Sequence, residues 1–195
     1  AQACVLIVTG QFDACARCLD EAERCAAAMP IGSTFERARI TAMRCNVACF
    51  QNDLARAERL ADEALRELPA AEAIFRPGVF AALGDTYRRN GRWEDAEACY
   101  RKLLEFSHTS AFHVQAVHVF GALADLNLRQ GKLRAAATCW RRALAAIEGR
   151  AESYPLPLTG WVYVRMGELL YERNEIDEAA THLRHGLERA ELGGD

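Results

Sequence analysis

Two cysteine pairs, Cys15-x-x-Cys18 and Cys45-x-x-x-Cys49, carry the sharpest chemical signal in this chain of 195 residues. Four thiolates drawn together would hold zinc in a tetrahedron, and two of them would form a regulatory disulfide. Glu178, His182 and His185 fall on one helical face at spacings of four and three. Paired histidines at such spacing bind metal, yet the HExxH order of zinc hydrolases is missing. Hydroxyls occur in "TGW" and "IGS", but no nucleophile elbow or glycine-rich phosphate cradle surrounds them. A catalytic site needs a nucleophile with its base, or two poised carboxylates, presented from a shaped pocket. None of these groups meets that requirement, so the expectation is a non-enzyme with no metal and no cofactor. The histidine face reads as solvated.

Composition bounds the alternatives. Hydrophobic residues make up 51% and charged residues 26%, which is a folding composition rather than a disordered one. Alanine and leucine are abundant, only five prolines occur, and both facts favour helix. A net charge of −3 provides no basic footprint for nucleic acid. No apolar run is long enough to span a membrane. Eight cysteines would suggest a disulfide framework in a small secreted chain with a poor core. Here they sit inside helical patterns in an apolar-rich chain. We therefore expect reduced thiols acting as small hydrophobes in a cytoplasmic protein. The chain opens at "ACVLIVTG" and stops at "ELGGD", and both ends read as cut from something larger.

The elements that must position these residues come from an internal repeat. Five times a Gly or Asn break is followed by an apolar residue two positions on and a small residue three further on. The passages are "GQFDAC", "NDLARA", "GRWEDA", "GKLRAA" and "NEIDEA". Their small residues, Cys15, Ala57, Ala96, Ala136 and Ala179, recur at steps of 42, 39, 40 and 43. Four positions later come Leu19, Ala61, Tyr100, Trp140 and Leu183, and seven later Ala22, Ala64, Leu103, Ala143 and Gly186. That spacing lays small and large apolar residues on one helical stripe. Cys15 lies on it, and Cys45 holds a small-residue place on the helix upstream of its break, so packing explains both. Trp93 and Trp140 likewise read as packing residues.

Each unit is a helix hairpin whose break closes the first helix with a left-handed residue. The layout is all-α: ten helices in five hairpins, at about 1–29, 33–68, 73–106, 110–148 and 157–192. They form a single repeat domain over 1–195 that winds into a right-handed superhelix. First helices are expected near 1–9, 33–50, 73–89, 110–129 and 157–173. Ser33 with Glu36 fits a capping box. Pro77 either starts the third hairpin or kinks its first helix.

Phe80, Leu83, Gly84, Tyr87, Ala96 and Tyr100 together resemble the tetratricopeptide (TPR) repeat. Phe120, Leu123 and Ala124, and then Tyr163, Met166, Gly167 and Leu170, continue the pattern. Arg44 stands where that family is usually apolar, and Ala61 where it is usually bulky. The period of about 41 exceeds the common 34. With "LGDTYRRNGRWEDAEACYRKLLE" and "MGELLYERNEIDEAATHLRHGLERAELGGD", the chain resembles the long-repeat region of MalT-type regulators. Those are bacterial LuxR-family activators with an ATPase module, a helical superhelix and a C-terminal helix-turn-helix. The resemblance implies a segment that receives an inducer signal and helps control self-association.

Rotation away from the buried stripe assigns an inner wall on the first helices. It takes Arg39, Ala42, Asn46, Cys49 and Phe50 from the second hairpin, and Ala81, Asp85, Arg88 and Arg89 from the third. The fourth supplies His118, Gly121, Asp125, Leu128 and Arg129, and the fifth Trp161, Val164, Glu168, Tyr171 and Glu172. Trp161 and Tyr171 would offer stacking surface, while Arg88, Arg89 and Arg129 would hold a carboxylate or phosphate. The expected partner is a small polar effector or a peptide or protein segment, with neither nucleic acid nor membrane bound. A general peptide-binding scaffold and a quorum-type peptide receptor are the alternatives. The terminal hairpins lack outer neighbours, so self-association through an end or a side surface is expected.

Overall fold

The computed structural model describes residues 6–7, 9–28, 33–106, 112–148 and 160–191. Among these residues there are nine α-helices and no strand. They are α1 (Phe12–Ala27), α2 (Ser33–Phe50), α3 (Leu54–Glu67), α4 (Phe75–Arg89) and α5 (Trp93–Leu104), then α6 (Phe112–Arg129), α7 (Leu133–Glu148), α8 (Gly160–Glu172) and α9 (Ile176–Glu191). The expected helix before α1 lies mostly outside the described residues, with Leu6 and Ile7 helical. The chain falls into two compact units, Ala1–Phe106 and Ser107–Asp195.

One local mechanism builds every hairpin. The five break residues all have positive φ: Gly10 at 72°, Asn52 at 58°, Gly91 at 74°, Gly131 at 69° and Asn174 at 62°. In each case the next residue donates its N–H five positions back, as Gln11 to Leu6 (2.8 Å), Asp53 to Ala48 (2.9 Å), Arg92 to Tyr87 (2.9 Å), Lys132 to Asn127 (2.8 Å) and Glu175 to Leu170 (2.9 Å). This Schellman closure satisfies carbonyls that the first helix leaves open. The same residue then caps the second helix, its carbonyl accepting from the small repeat residue four positions on. Those bonds span 2.9–3.0 Å at Cys15, Ala57, Ala96, Ala136 and Ala179. The apolar residue two positions after each break is where the second helix begins.

Burial follows the stripe in the middle of the chain. Ala57, Ala61, Ala64, Ala96, Tyr100, Leu103, Ala136, Trp140 and Ala143 are at most 1% exposed. A Cβ on Gly84 would come within 2.7 Å of the Tyr100 ring, and one on Gly167 within 2.7 Å of Leu183. The small residue on the first helix is thus the socket for the large residue on the second. Two stripe positions depart from expectation. Ala22 is exposed and Leu183 is 39% exposed.

Local irregularities also have causes. Pro77 neither starts α4 nor kinks it. It is the third residue of a helix that begins at Phe75, where backbone N–H groups have no intrahelical acceptor to lose. The Glu72 carboxylate accepts from the N–H of Ile74 (3.0 Å) and Phe75 (2.6 Å), and the regular ladder resumes with Gly78 to Ile74 at 3.2 Å. Arg44, in its usually apolar place, donates to Asp20 and Glu23 of α1 at 2.7 Å each. The hydroxyl proposed for the Ser33 capping box lies outside the described side chains.

Candidate functional site

In the first unit the wall residues divide between core and surface. Ala42 and Cys49 are 1% exposed, so they belong to the core and not to a wall. α2 packs directly on α4 as well as on α3, which widens its buried face beyond a single stripe. Arg39 is bonded to Glu36 at 3.2 Å and its guanidinium lies 4.7 Å over the Phe75 ring. That cation is folded onto α4. Arg89 donates to the Cys49 carbonyl (2.7 Å) and the Thr86 hydroxyl (3.0 Å), closing the C-terminus of α2. Two of the expected anion-binding or partner-binding arginines are therefore engaged inside the fold. Asp85 accepts from the Tyr100 hydroxyl at 2.7 Å and lies 3.7 Å from Arg88. Burial first, and then the Asp85 charge, push the Tyr100 phenol well up. Asn46 is half-buried, and its Oδ1 is enclosed without a hydrogen-bond partner.

A thiol pair lies behind this face. The Cys45 thiol donates to the Ala57 carbonyl at 3.4 Å, and its pairing with Cys49 holds Cys49 below the usual thiol range, against burial and with help from Thr86 and Arg89. Cys45 is pushed far up in return. All seven described cysteines are free thiols. Cys15 and Cys45 are buried as their small-residue places imply and Cys49 is buried against its wall assignment, whereas Cys25 is exposed and does not act as a packing group. Among the described residues no three metal-ligating side chains converge.

In the second unit more of the expected wall residues reach the surface. Gly121 is buried and leaves the wall, because Trp161 lies across it: a Cβ there would collide with the Trp161 ring. Trp161 is 39% exposed and packs edge-on against Trp140, with ring centroids 5.3 Å apart. Its inner edge is structural and its outer edge faces solvent. His118, Arg129 and Glu168 are exposed, and Tyr171 is 66% exposed. Asp125 and Glu168 are joined by a residue that rotation of the stripe did not single out. Arg165 donates to Asp125 at 2.9 Å and to Glu168 at 2.6 Å. It lies 40 residues after Asp125, one repeat on, so the period itself was the available signal. The Asp125 carboxylate, against some burial and with Glu168 assisting, keeps Arg165 more firmly charged than usual.

Arg165, Glu168, Leu169 and Glu172 of α8 line a cleft of ≈ 200 Å³ with Leu128 and Leu133. Apolar floor and paired charges make it suited to an amphipathic side chain. The histidine face of α9 is not purely solvated: His182 and His185 lie 6.0 and 5.7 Å from the Tyr163 ring.

No curated protein matches the chain. Among solved structures it is similar to BtubC (BKLC) from P. vanneervenii, at 22% identity and a TM-score of 0.71, covering 94% of this chain and 74% of that one. It is also similar to MamA MSR-1 C2, at 15% identity and a TM-score of 0.59 over 99% and 95% of the two chains. A MamA RS-1 ArsTM double mutant gives 12%, 0.61, and coverage of 100% and 98%. These likenesses speak to the fold, a TPR-type helical-repeat scaffold. No helix among the described residues is long and apolar enough to cross a membrane. Residues 38–193 match the family model of the MalT-like TPR region, and the chain belongs to that family.

Proposed function

We propose that this segment is the sensor and interaction part of a MalT/LuxR-type bacterial transcription regulator, working in the cytoplasm. In this reading it captures a protein or peptide segment on its first helices and couples that capture to self-association. One observation carries the choice of ligand. The cleft beside Arg165 holds ≈ 200 Å³, whereas sites that enclose small molecules run to about 300–1,000 Å³. A cleft of that size receives one side chain of a longer partner and does not swallow an effector. Arg165 between two carboxylates, with Tyr171 and Trp161 exposed on the same helix, supports polar recognition with some stacking. The exposed stripe Ile176, Leu183 and Leu187 on α9 supports the self-association arm.

Selection from a displayed library of random peptides tests the reading. Peptides that bind the chain should lose binding when Arg165 is changed to Ala, and again when Arg129 is changed to Ala, with helical content intact. Selected peptides that bind these variants undiminished would sink it. So would a metabolite that raises the melting temperature, as a ligand binding only the folded state does, while no peptide binds.

A further inference from the structure

A second groove lies in the first unit, between α3 and α4. It has a volume of ≈ 610 Å³, with Leu65 of α3 and Phe80 and Leu83 of α4 on its floor. Glu58 and Asp62 of α3 stand along it, with Tyr87 at one end. Phe80, Tyr87 and Leu65 are only half-buried. At the matching register of the second unit, Tyr163, Leu170 and Leu144 are buried, at 4%, 1% and 6% exposure. The same two helical faces are thus closed in one unit and open in the other.

The groove already displays its own chemistry. Arg92 places its guanidinium 4.6 Å over the Tyr87 ring and bonds to Glu58 at 2.7 Å. Glu58 also accepts from the Tyr87 hydroxyl at 2.9 Å. A ring beside a carboxylate therefore holds a cation at one end of the groove, the arrangement expected from charge and the ring quadrupole together. Asp62 is exposed one helical turn further along α3, above Phe80 and Leu65 on the lining. Arg92 already answers Glu58 and Arg59 is the cation on the lining, so Asp62 is the groove carboxylate that stands outside any ion pair among the described residues.

We propose that this groove is a docking site for a protein segment that presents an arginine or lysine beside a large apolar side chain. The cation meets Asp62, and the apolar group covers Phe80 and Leu65. The site is separate from the Arg165 cleft and does not depend on the function proposed for it.

Two labelled amphipathic peptides of about 15 residues, long enough for a helix to hold, serve as probes. One pairs leucine with lysine, and the other pairs the same leucines with glutamate. Fluorescence anisotropy on the full chain should show the lysine peptide binding about tenfold or more tighter, a difference that shrinks with added salt. Asp62→Lys should weaken the lysine peptide about tenfold or more. Ala55→Trp, which fills the groove from an exposed position on the first turn of α3, should do the same. Circular dichroism confirms that both variants keep their helices. Arg165→Ala should leave binding unchanged. Equal affinity for the two peptides, failure of the lysine peptide to bind, indifference to both groove variants, or an equal loss in Arg165→Ala would each overturn the proposal.

Discussion

The two units share a register yet place their helices differently. In the first, α4 lies directly against α2, while in the second α8 packs on α7 and α9, and α6 is not among its close backbone neighbours. Four positions after the small residue stands Ala61 in the first unit and Trp140 in the second. Eighteen positions before it stands Gly78 in the third hairpin and Trp161 in the fifth. Small side chains let α2 and α4 approach until the Asn46 amide lies 3.9 Å from the Cβ site of Gly78. Two indoles packed edge-on stand between α6 and α8, against Gly121. The open space then falls between α3 and α4 in one unit and beside Arg165 in the other. A helical repeat thus moves its clefts by exchanging alanine or glycine for tryptophan while its backbone motif stays fixed.

The largest expected effect removes the wedge. Trp140 is fully buried, and Trp140→Ala should cost about 3–5 kcal/mol, read from chemical denaturation. A cost below about 1 kcal/mol would mean that the indole is not packed between α6 and α8. The converse change, Ala61→Trp, should cost about 1–3 kcal/mol by overpacking the α2–α3–α4 core. Unchanged stability there would show that the first unit already has room for the wedge, against the close α2–α4 approach. Gly84→Ala belongs in the same range, since its new methyl would press on the Tyr100 ring at 2.7 Å.

A smaller effect concerns Cys99 on α5. Burial first, then the Asp95 charge and the neighbouring Cys49, push its thiol up to about 11. Between pH 8 and 10, alkylation of Cys99 should therefore climb about tenfold per pH unit without levelling, followed by mass spectrometry. A raised thiol favours the folded state fully below the unfolded value of about 8.5, and that contribution is lost as pH rises toward the folded value. A plateau in labelling near pH 9 would contradict the burial assigned to it.

The smallest effect separates the two asparagine breaks. Asn174→Gly should stabilise by a few tenths of a kcal/mol, about what relief of a left-handed side chain yields. Asn52→Gly should gain less or lose, because the Asn52 Oδ1 accepts from Asn90 of the next hairpin at 2.9 Å. Thermal melts of the pair that show equal shifts would remove this difference between the units.

Breaks and stripes were readable because they are local. A left-handed Gly or Asn, an apolar residue two on and a small residue three further on specify a hairpin through backbone bonds within a few positions. For that reason all five hairpin breaks and the buried stripe of the middle hairpins could be placed from residue types. The candidate faces were readable only in part. Asp125, Glu168, Tyr171 and the outer edge of Trp161 emerged on them, whereas Ala42, Cys49 and Gly121 went to the core and Arg39 and Arg89 were drawn onto neighbouring helices. First helices pack against two partners at once, so their buried arc is wider than one stripe of spacing reveals.

By itself, then, the sequence determined the repeat, its all-helical hairpins and the sockets and knobs that join each pair, since these depend on contacts between residues close along the chain. Only the tertiary structure decided where the hairpins leave open space and which charges face it. Those outcomes depend on how closely helices about 40 residues apart approach. That distance is set by the combined volume of side chains from three helices, which no single stretch of residues contains.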